Sequence, residues 1–317
     1  MKKRGQVLLI MALILLIVAL AFLSFLLYQY LPGKPESLTA IYEPAEIETG
    51  NLSYEVRQFY PNMKFNHNEI TYKIGKTCSE EKRQRMLEAF QELEKKVGII
   101  SFSPSNEPDI QVSCTERIEH SIDKDFFVAG EGGAKQIIKT GKYNVITEGI
   151  ILLYGNPHNA KECDWPNVEL HELLHVFGFD HSQDKNSIMY QYLESCNQKL
   201  DESIISDLRE LYSRENLADM FFNNVYAVKK GPYLDFNVTV KNSGVIRADS
   251  VILTVLDEGE KVEDFELRDI PFGASVVFSV KNLKLKSRAS DSIQLYIDYE
   301  DKINELDEDN NLAKLTF

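Results

Sequence analysis

Basic charge is scarce in this sequence: 35 lysines and arginines face 49 aspartates and glutamates, a formal net charge of −14 over 317 residues. A phosphate-binding surface needs a concentrated cationic patch, so this balance argues against nucleic acid as a partner. Cysteine is also scarce. The four present (Cys78, Cys114, Cys163, Cys196) form no C-x-x-C pair, which argues against a cysteine zinc site. Long apolar runs are rarer still: one occurs, over residues 7–27, with Ser24 its only polar member. Elsewhere, 44% hydrophobic and 26% charged residues exclude a disordered chain and suit ordinary globular domains.

That single run is long enough to cross a bilayer as a helix, which takes about 20 apolar residues. Basic residues precede it (Lys2, Lys3, Arg4), Tyr28 and Tyr30 close it, and mostly acidic charges follow (Glu36, Glu43, Glu46, Glu48). This asymmetry predicts a cytoplasmic N-terminus with the remainder outside the cell. Three fates stay open: a retained single-pass anchor, cleavage at the small-x-small site Ala19-Leu-Ala21, or trimming after Gly5 as in prokaryotic pilin-like leaders. The apolar run continues well past Ala21, which favours the anchor.

The expected organisation is a basic tail (1–6), a membrane anchor (7–30), a stalk (31–60), an α+β domain (61–215) and an all-β domain (220–317). The stalk reading rests on Pro32, Gly33, Pro35, Pro44 and Gly50 among polar residues. In the α+β region, Ile70-Thr-Tyr-Lys-Ile74 alternates like a strand. Ser79 then reads as a helix N-cap, Met86, Phe90, Leu93 and Val97 as a helical stripe, and Gly98 as its stop. Residues 99–102, 109–113 and 145–153 read as strands, and Glu131-Gly-Gly133 as a loop. Further helices are expected from about Pro166 and over about 201–214. Beyond residue 220 the period becomes two, as in Leu234, Phe236, Val238 and Val240, with turn signals at Asn242-Ser-Gly244 and Pro271-Phe-Gly273. That pattern predicts a β-sandwich of roughly 100 residues. Two glycosylation acceptor patterns, at Asn51 and Asn237, carry little weight.

The chemistry concentrates in His171-Glu-Leu-Leu-His175-Val-Phe-Gly178-Phe-Asp-His181. On a helix, His171 and His175 are one turn apart and can share a metal. Glu172 stands beside them, within reach of a proton on a metal-bound water. Gly178 permits the left-handed backbone that ends a helix abruptly, so the chain can return His181 as a third ligand. Three neutral nitrogens leave one position of a tetrahedral Zn2+ open to water, a catalytic rather than a structural arrangement.

With Ser187-Ile-Met189-Tyr190 following as a Met-turn, this region resembles the metzincin zinc metalloproteases. Ser182, the Gly178-Phe-Asp-His-Ser182 string, Ile188-Met189-Tyr190 and Glu107-Pro-Asp-Ile110 resemble the matrixin branch in particular. The resemblance implies an endopeptidase acting on protein or peptide substrates, with one catalytic zinc on His171, His175 and His181. Glu172 would act as general base on zinc-activated water, and Met189 as an apolar floor beneath the ligands. Residues 145–153 are the expected edge for pairing with an extended substrate.

Gln191 stands where astacins and serralysins carry a metal-reaching tyrosine, and no Pro-Arg-Cys-Gly inhibitory switch occurs. His67, His120 and His158 read as surface or loop histidines. Calcium can be neither placed nor dismissed, and the acidic run at 307–309 reads as a solvated turn. Cysteine pairs Cys163–Cys196 and Cys78–Cys114 are expected because each would bracket one half of the catalytic domain. The C-terminal region resembles the CARDB group of immunoglobulin-like surface modules, through Val238-Thr-Val-Lys-Asn-Ser-Gly244 and Glu305-Leu-Asp-Glu-Asp-Asn-Asn311. The rival to an enzyme is a cell-surface binding or adhesion protein with a non-catalytic metzincin-like domain.

Overall fold

A computed structural model describes residues 2–43, 57–120, 127–156, 163–193 and 195–316. The Asn51 acceptor pattern and His158 lie outside them. Helix α1 (Lys2–Tyr30) carries the apolar run, and its segment Leu9–Tyr30 is long and apolar enough to cross a membrane, with none of it buried in the structure.

The α+β domain contains β2 (Met63–Phe65), β3 (Glu69–Ile74), α2 (Glu80–Val97), β4 (Ser101–Pro104), β5 (Ile110–Cys114), a two-residue pair β6 (Glu119–His120) and β7 (Phe127–Val128), β8 (Gly130–Lys139), β9 (Asn144–Leu153), α3 (Asn167–Val176) and α4 (Glu202–Ser213); β1 precedes it and is described below. Its sheet runs β2-β9-β5-β3-β4, all parallel where paired, and β8 joins the other side of β9 antiparallel. Helix α2 forms as its sequence dictates. The Ser79 hydroxyl accepts from the Lys82 N–H at 3.3 Å, Glu80 and Glu81 sit where the helix dipole favours acids, and Gly98 ends it at φ 80°. Its buried stripe, Met86, Ala89, Phe90, Leu93 and Val97, packs into one core with α3, α4 and the sheet.

The C-terminal sandwich comprises β10 (Met220–Lys230), β11 (Tyr233–Asn242), β12 (Ala248–Asp257), β13 (Glu260–Ile270), β14 (Ser275–Lys284), β15 (Ile293–Ile297) and β16 (Leu312–Thr316). Its alternation works as read: Leu234, Phe236, Val238 and Val240 point into the core with Leu253, Val255 and Leu295. The turn at Asn242 is held from within, because its buried amide donates to the carbonyls of Ile246 (2.8 Å) and Ile270 (3.0 Å). Asp307 accepts from the Asp309 N–H at 3.1 Å, closing the acidic run into a turn.

Two expectations need correction. Part of the stalk is a strand: β1 (Pro35–Tyr42) pairs through residues 35–38 with β10 and through residues 39–42 with β16. It thus ties the two faces of the sandwich together, with Leu38 in their core and Ala40 and Tyr42 packed against it. The α+β domain is therefore inserted between two paired strands of the sandwich. Prolines and glycines flanking this segment look like linker chemistry, but Leu38, Ala40 and Tyr42 follow the strand period of two.

The second correction concerns Glu131-Gly-Gly133, which is strand rather than loop, lying within β8. Since β8 covers β9 along 144–153, β9 is an interior strand, and among the described residues the free edge belongs to β8.

Candidate metal centre

Helix α3 is buried on nearly all sides, and Leu170, Leu173, Leu174, Val176 and the following Phe177 are fully buried. Arg85 of α2 fixes its start, donating to the carbonyls of Cys163 (2.8 Å) and Trp165 (2.9 Å) and reaching the buried Glu169 carboxylate at 3.4 Å. Burial pushes that carboxyl up, and the Arg85 charge opposes it. The helix ends at Gly178, with φ +87°, where a β-carbon would stand 2.3 Å from the Met63 sulfur. Only glycine meets both conditions at no cost.

This left-handed turn brings two groups back toward the helix. The Phe179 carbonyl accepts from His175 Nδ1 at 2.7 Å, and His181 presents its Nε2 at 3.2 Å from His175 Nε2. His171 Nδ1 in turn donates to the Ile188 carbonyl at 2.6 Å. Carbonyls only accept, so both Nδ1 atoms carry the proton and both Nε2 atoms are bare lone pairs. Yet the Nε2 atoms of His171 and His175 stand 3.0 Å apart. Two lone pairs at that distance repel unless a cation lies among them. Ligands 2.0–2.1 Å from a tetrahedral zinc stand about 3.3 Å from one another, close to these separations.

Burial pushes the His171 imidazole down to about 3, helped by the neighbouring rings, and lowers those of His175 and His181 as well. All three are neutral at physiological pH, as metal ligands must be. Among the described residues, these three alone place His, Cys or carboxylate ligand atoms close enough together to hold a metal ion. The residues present fit a metal ion bound through imidazole nitrogens.

Glu172 is buried beside them. Burial pushes its carboxyl up to about 8; the Gly132 N–H that it accepts opposes this, and Glu131 and Glu169 add to it. Met189 is fully buried in the same core as Leu170 and Leu174. Its turn is held by Ser182 N–H donating to the Met189 carbonyl (2.8 Å) and Met189 N–H donating to the Ser187 hydroxyl (2.9 Å). Cys78 is bonded to Cys114, and Cys163 to Cys196; the second bond ties the approach to α3 to the chain beyond the Met-turn. Gln191 is exposed. His67 lies away from the trio, half-exposed, 3.0 Å from Asp109. His120 falls on β6.

Sequence reasoning missed the groups that surround these side chains. The Phe59 ring stacks on His175 at 6.1 Å between centroids. Gln58 holds the Phe177 and Met63 carbonyls at 2.9 and 2.8 Å. Gly130 and Gly132 let β8 lie directly on α3, since β-carbons there would stand 2.6 Å from Glu172 Cγ and 2.1 Å from its carbonyl oxygen. The available signal was glycines two apart, on one face of a strand, which marks a close backbone approach.

Residues 64–213 match the family model for Matrixin, and residues 220–314 that for CARDB. No curated protein matches the chain significantly. Among solved structures, it is similar to the CARDB domain of a Pyrococcus furiosus protein in complex with di-metal ions: 18% identity, 32% of this chain and 87% of that one, TM-score 0.25. It is likewise similar to a domain of a putative cell surface protein from Methanosarcina acetivorans, at 18% identity, 32% of this chain, 90% of that one and TM-score 0.26. An apolar N-terminal helix, a matrixin-like domain of the metallopeptidase class whose three histidines could hold a metal, and a CARDB-like domain occur together in this chain.

Proposed function

We propose that this chain is a zinc-dependent endopeptidase held on the outer face of a membrane by α1, with its N-terminus in the cytoplasm. The observation that carries the reading is the convergence of three Nε2 atoms, two of them left as bare lone pairs by Nδ1–H bonds to carbonyls, beside the buried carboxyl of Glu172. His171, His175 and His181 would hold one zinc ion. Bound there, zinc supplies a Lewis acid for a peptide carbonyl and lowers the pKa of a coordinated water.

The chain's own residues do the rest. Glu172 takes a proton from water and returns it to the leaving amine, a task suited to a carboxyl whose pKa burial has pushed up to about 8. The carbonyls of Ile188 and Phe179 keep His171 and His175 in the ligating tautomer. The free edge of β8, which runs past Glu172, offers backbone groups to an extended peptide, a role the interior position of β9 rules out.

The test is peptide cleavage by the full chain in detergent, with metal content measured alongside. Glu172→Gln is expected to keep about one zinc per chain and to lose turnover by a factor of 100 or more. Wild-type protein that binds zinc but cleaves no peptide in a proteome-derived library would favour a surface-binding role instead.

A further inference from the structure

The hairpin between β8 and β9 reaches out of the α+β domain and is gripped by the sandwich. Within it, Thr140 is fully buried, and its hydroxyl donates to the Ser243 carbonyl at 2.7 Å. Lys142 places its ammonium 3.4 Å from both oxygens of Asp219, a carboxylate with no exposure of its own. Ser243 and Asn310 also donate to that carboxylate. Tyr143 and Val145 share an apolar cluster with Val245, joined by Ile246, Phe272 and Leu306. Gly273 approaches so closely that a β-carbon would stand 2.8 Å from an Ile138 methyl. A buried ion pair, a buried hydrogen bond and an apolar cluster at one hairpin form a fixed joint, not a flexible tether.

The other end of the same strand lies on the proposed catalytic centre. From the tip, β8 runs back to Gly132, whose N–H donates to the Glu172 carboxylate, and to Gly130, which faces its side chain. Irregular register at 134–137 marks a bulge, which bends the strand between the two contacts. Among the described residues, β8 is an edge strand, paired on one side alone. Its position over α3 therefore depends on its two ends and on β9. The sandwich holds one end, and the glycine contact with α3 is the other.

We infer that the C-terminal sandwich is a positioning part of the peptidase: through Lys142–Asp219 and Thr140–Ser243 it holds β8, and β8 holds Glu172. The inference rests on the endopeptidase reading for its kinetic consequence, but the strand's dependence on the sandwich can be measured without any turnover. Lys142 and Thr140 touch neither substrate nor metal; they act through the strand.

The experiment compares full-length wild type, Lys142→Met, Lys142→Arg and Thr140→Val, by hydrogen exchange at residues 130–133 and by kcat and KM on a cleaved peptide. In Lys142→Met, exchange at 130–133 should speed up at least tenfold while α2 amides keep their wild-type rates. The kcat should fall about tenfold with KM within twofold. Lys142→Arg, which keeps the charge, should restore both. Thr140→Val, which removes the hydroxyl that donates to Ser243 and accepts from the Tyr143 N–H but leaves the ion pair, should show a smaller change in the same direction and serves if Lys142→Met does not fold. Wild-type exchange at 130–133 in Lys142→Met and Thr140→Val overturns the inference, and so does faster exchange with unchanged kcat. If the wild type cleaves nothing, the endopeptidase reading falls, and protection of the Gly132 amide still decides whether the sandwich positions the strand on Glu172.

Discussion

A β-carbon added to Gly132 would stand 2.1 Å from the carbonyl oxygen of Glu172, so strand β8 and helix α3 touch backbone to backbone at the carboxyl that the peptidase reading needs. Gly133, next along the strand, faces open space with nothing within 4 Å of a β-carbon. The two positions therefore make a matched pair. Gly132→Ala must push β8 off α3, at a cost of about 1–3 kcal/mol in packing, and should lower turnover at least tenfold. Gly133→Ala should stay within twofold of wild type. Equal kinetics for the two variants would remove the glycine contact from the account.

Strand β1 belongs to the sandwich, so its removal should be felt there. A soluble chain starting at residue 34 keeps β1; one starting at residue 57 loses it, exposing the edges of β10 and β16 and the pocket of Leu38. Burying one leucine contributes about 1.5–3 kcal/mol. The shorter chain should therefore unfold at a denaturant midpoint clearly below that of the longer one, with the loss confined to the sandwich. Coincident midpoints would mean that β1 adds nothing to the sandwich.

Glu305 gives the sandwich a pH dependence. Burial pushes its carboxyl up to about 8, against the Met220 N–H and the Asn311 amide that it accepts. A folded pKa above the unfolded value of about 4.3 means that the native state holds the proton more tightly, so stability declines as pH rises from about 4.5 to 8. Denaturant midpoints at pH 5 and pH 7.5 should show this decline. In Glu305→Gln the decline should be shallower, whatever the absolute stability of the variant. An unchanged slope would assign the effect to other groups.

The joint between α1 and the sandwich is also testable. Arg288 donates to the carbonyls of Tyr28 (2.9 Å) and Leu31 (2.6 Å), which are orphaned at the end of α1, and stacks over the Tyr28 ring. Arg288→Ala should free the helix end, seen as faster motion of a spin label at residue 31. A label as immobile as in the wild type would show that Arg288 does not restrain the helix end, leaving it to Tyr233 and Lys284, which also contact Tyr30.

The legible part of the molecule was the part coded locally. His171, Glu172 and His175 are brought together by one helical turn, and Gly178 and His181 follow within six residues of His175, so spacing alone carried them. The capping of α2 by Ser79 and Gly98, and the alternation of β11, were equally local. What escaped was coded by distant partners. β1 pairs with residues about 190 and 270 positions away, and nothing within its eight residues names them. Gly132, within Glu131-Gly-Gly133, read as loop because glycine weakens a strand, but its purpose, shared with Gly130, is the approach to α3. The carbonyls of Ile188 and Phe179 that set the histidine tautomers belong to the backbone and leave no mark in residue identity.

X-ray absorption at the zinc edge of the full-length protein tests the metal centre most directly. The account predicts about one zinc per chain, with three imidazole nitrogens at 2.0–2.1 Å and one exchangeable oxygen, and loss of one nitrogen from that shell in His181→Ala. A shell containing sulfur, a shell unchanged in His181→Ala, or no stoichiometric zinc at all would contradict it.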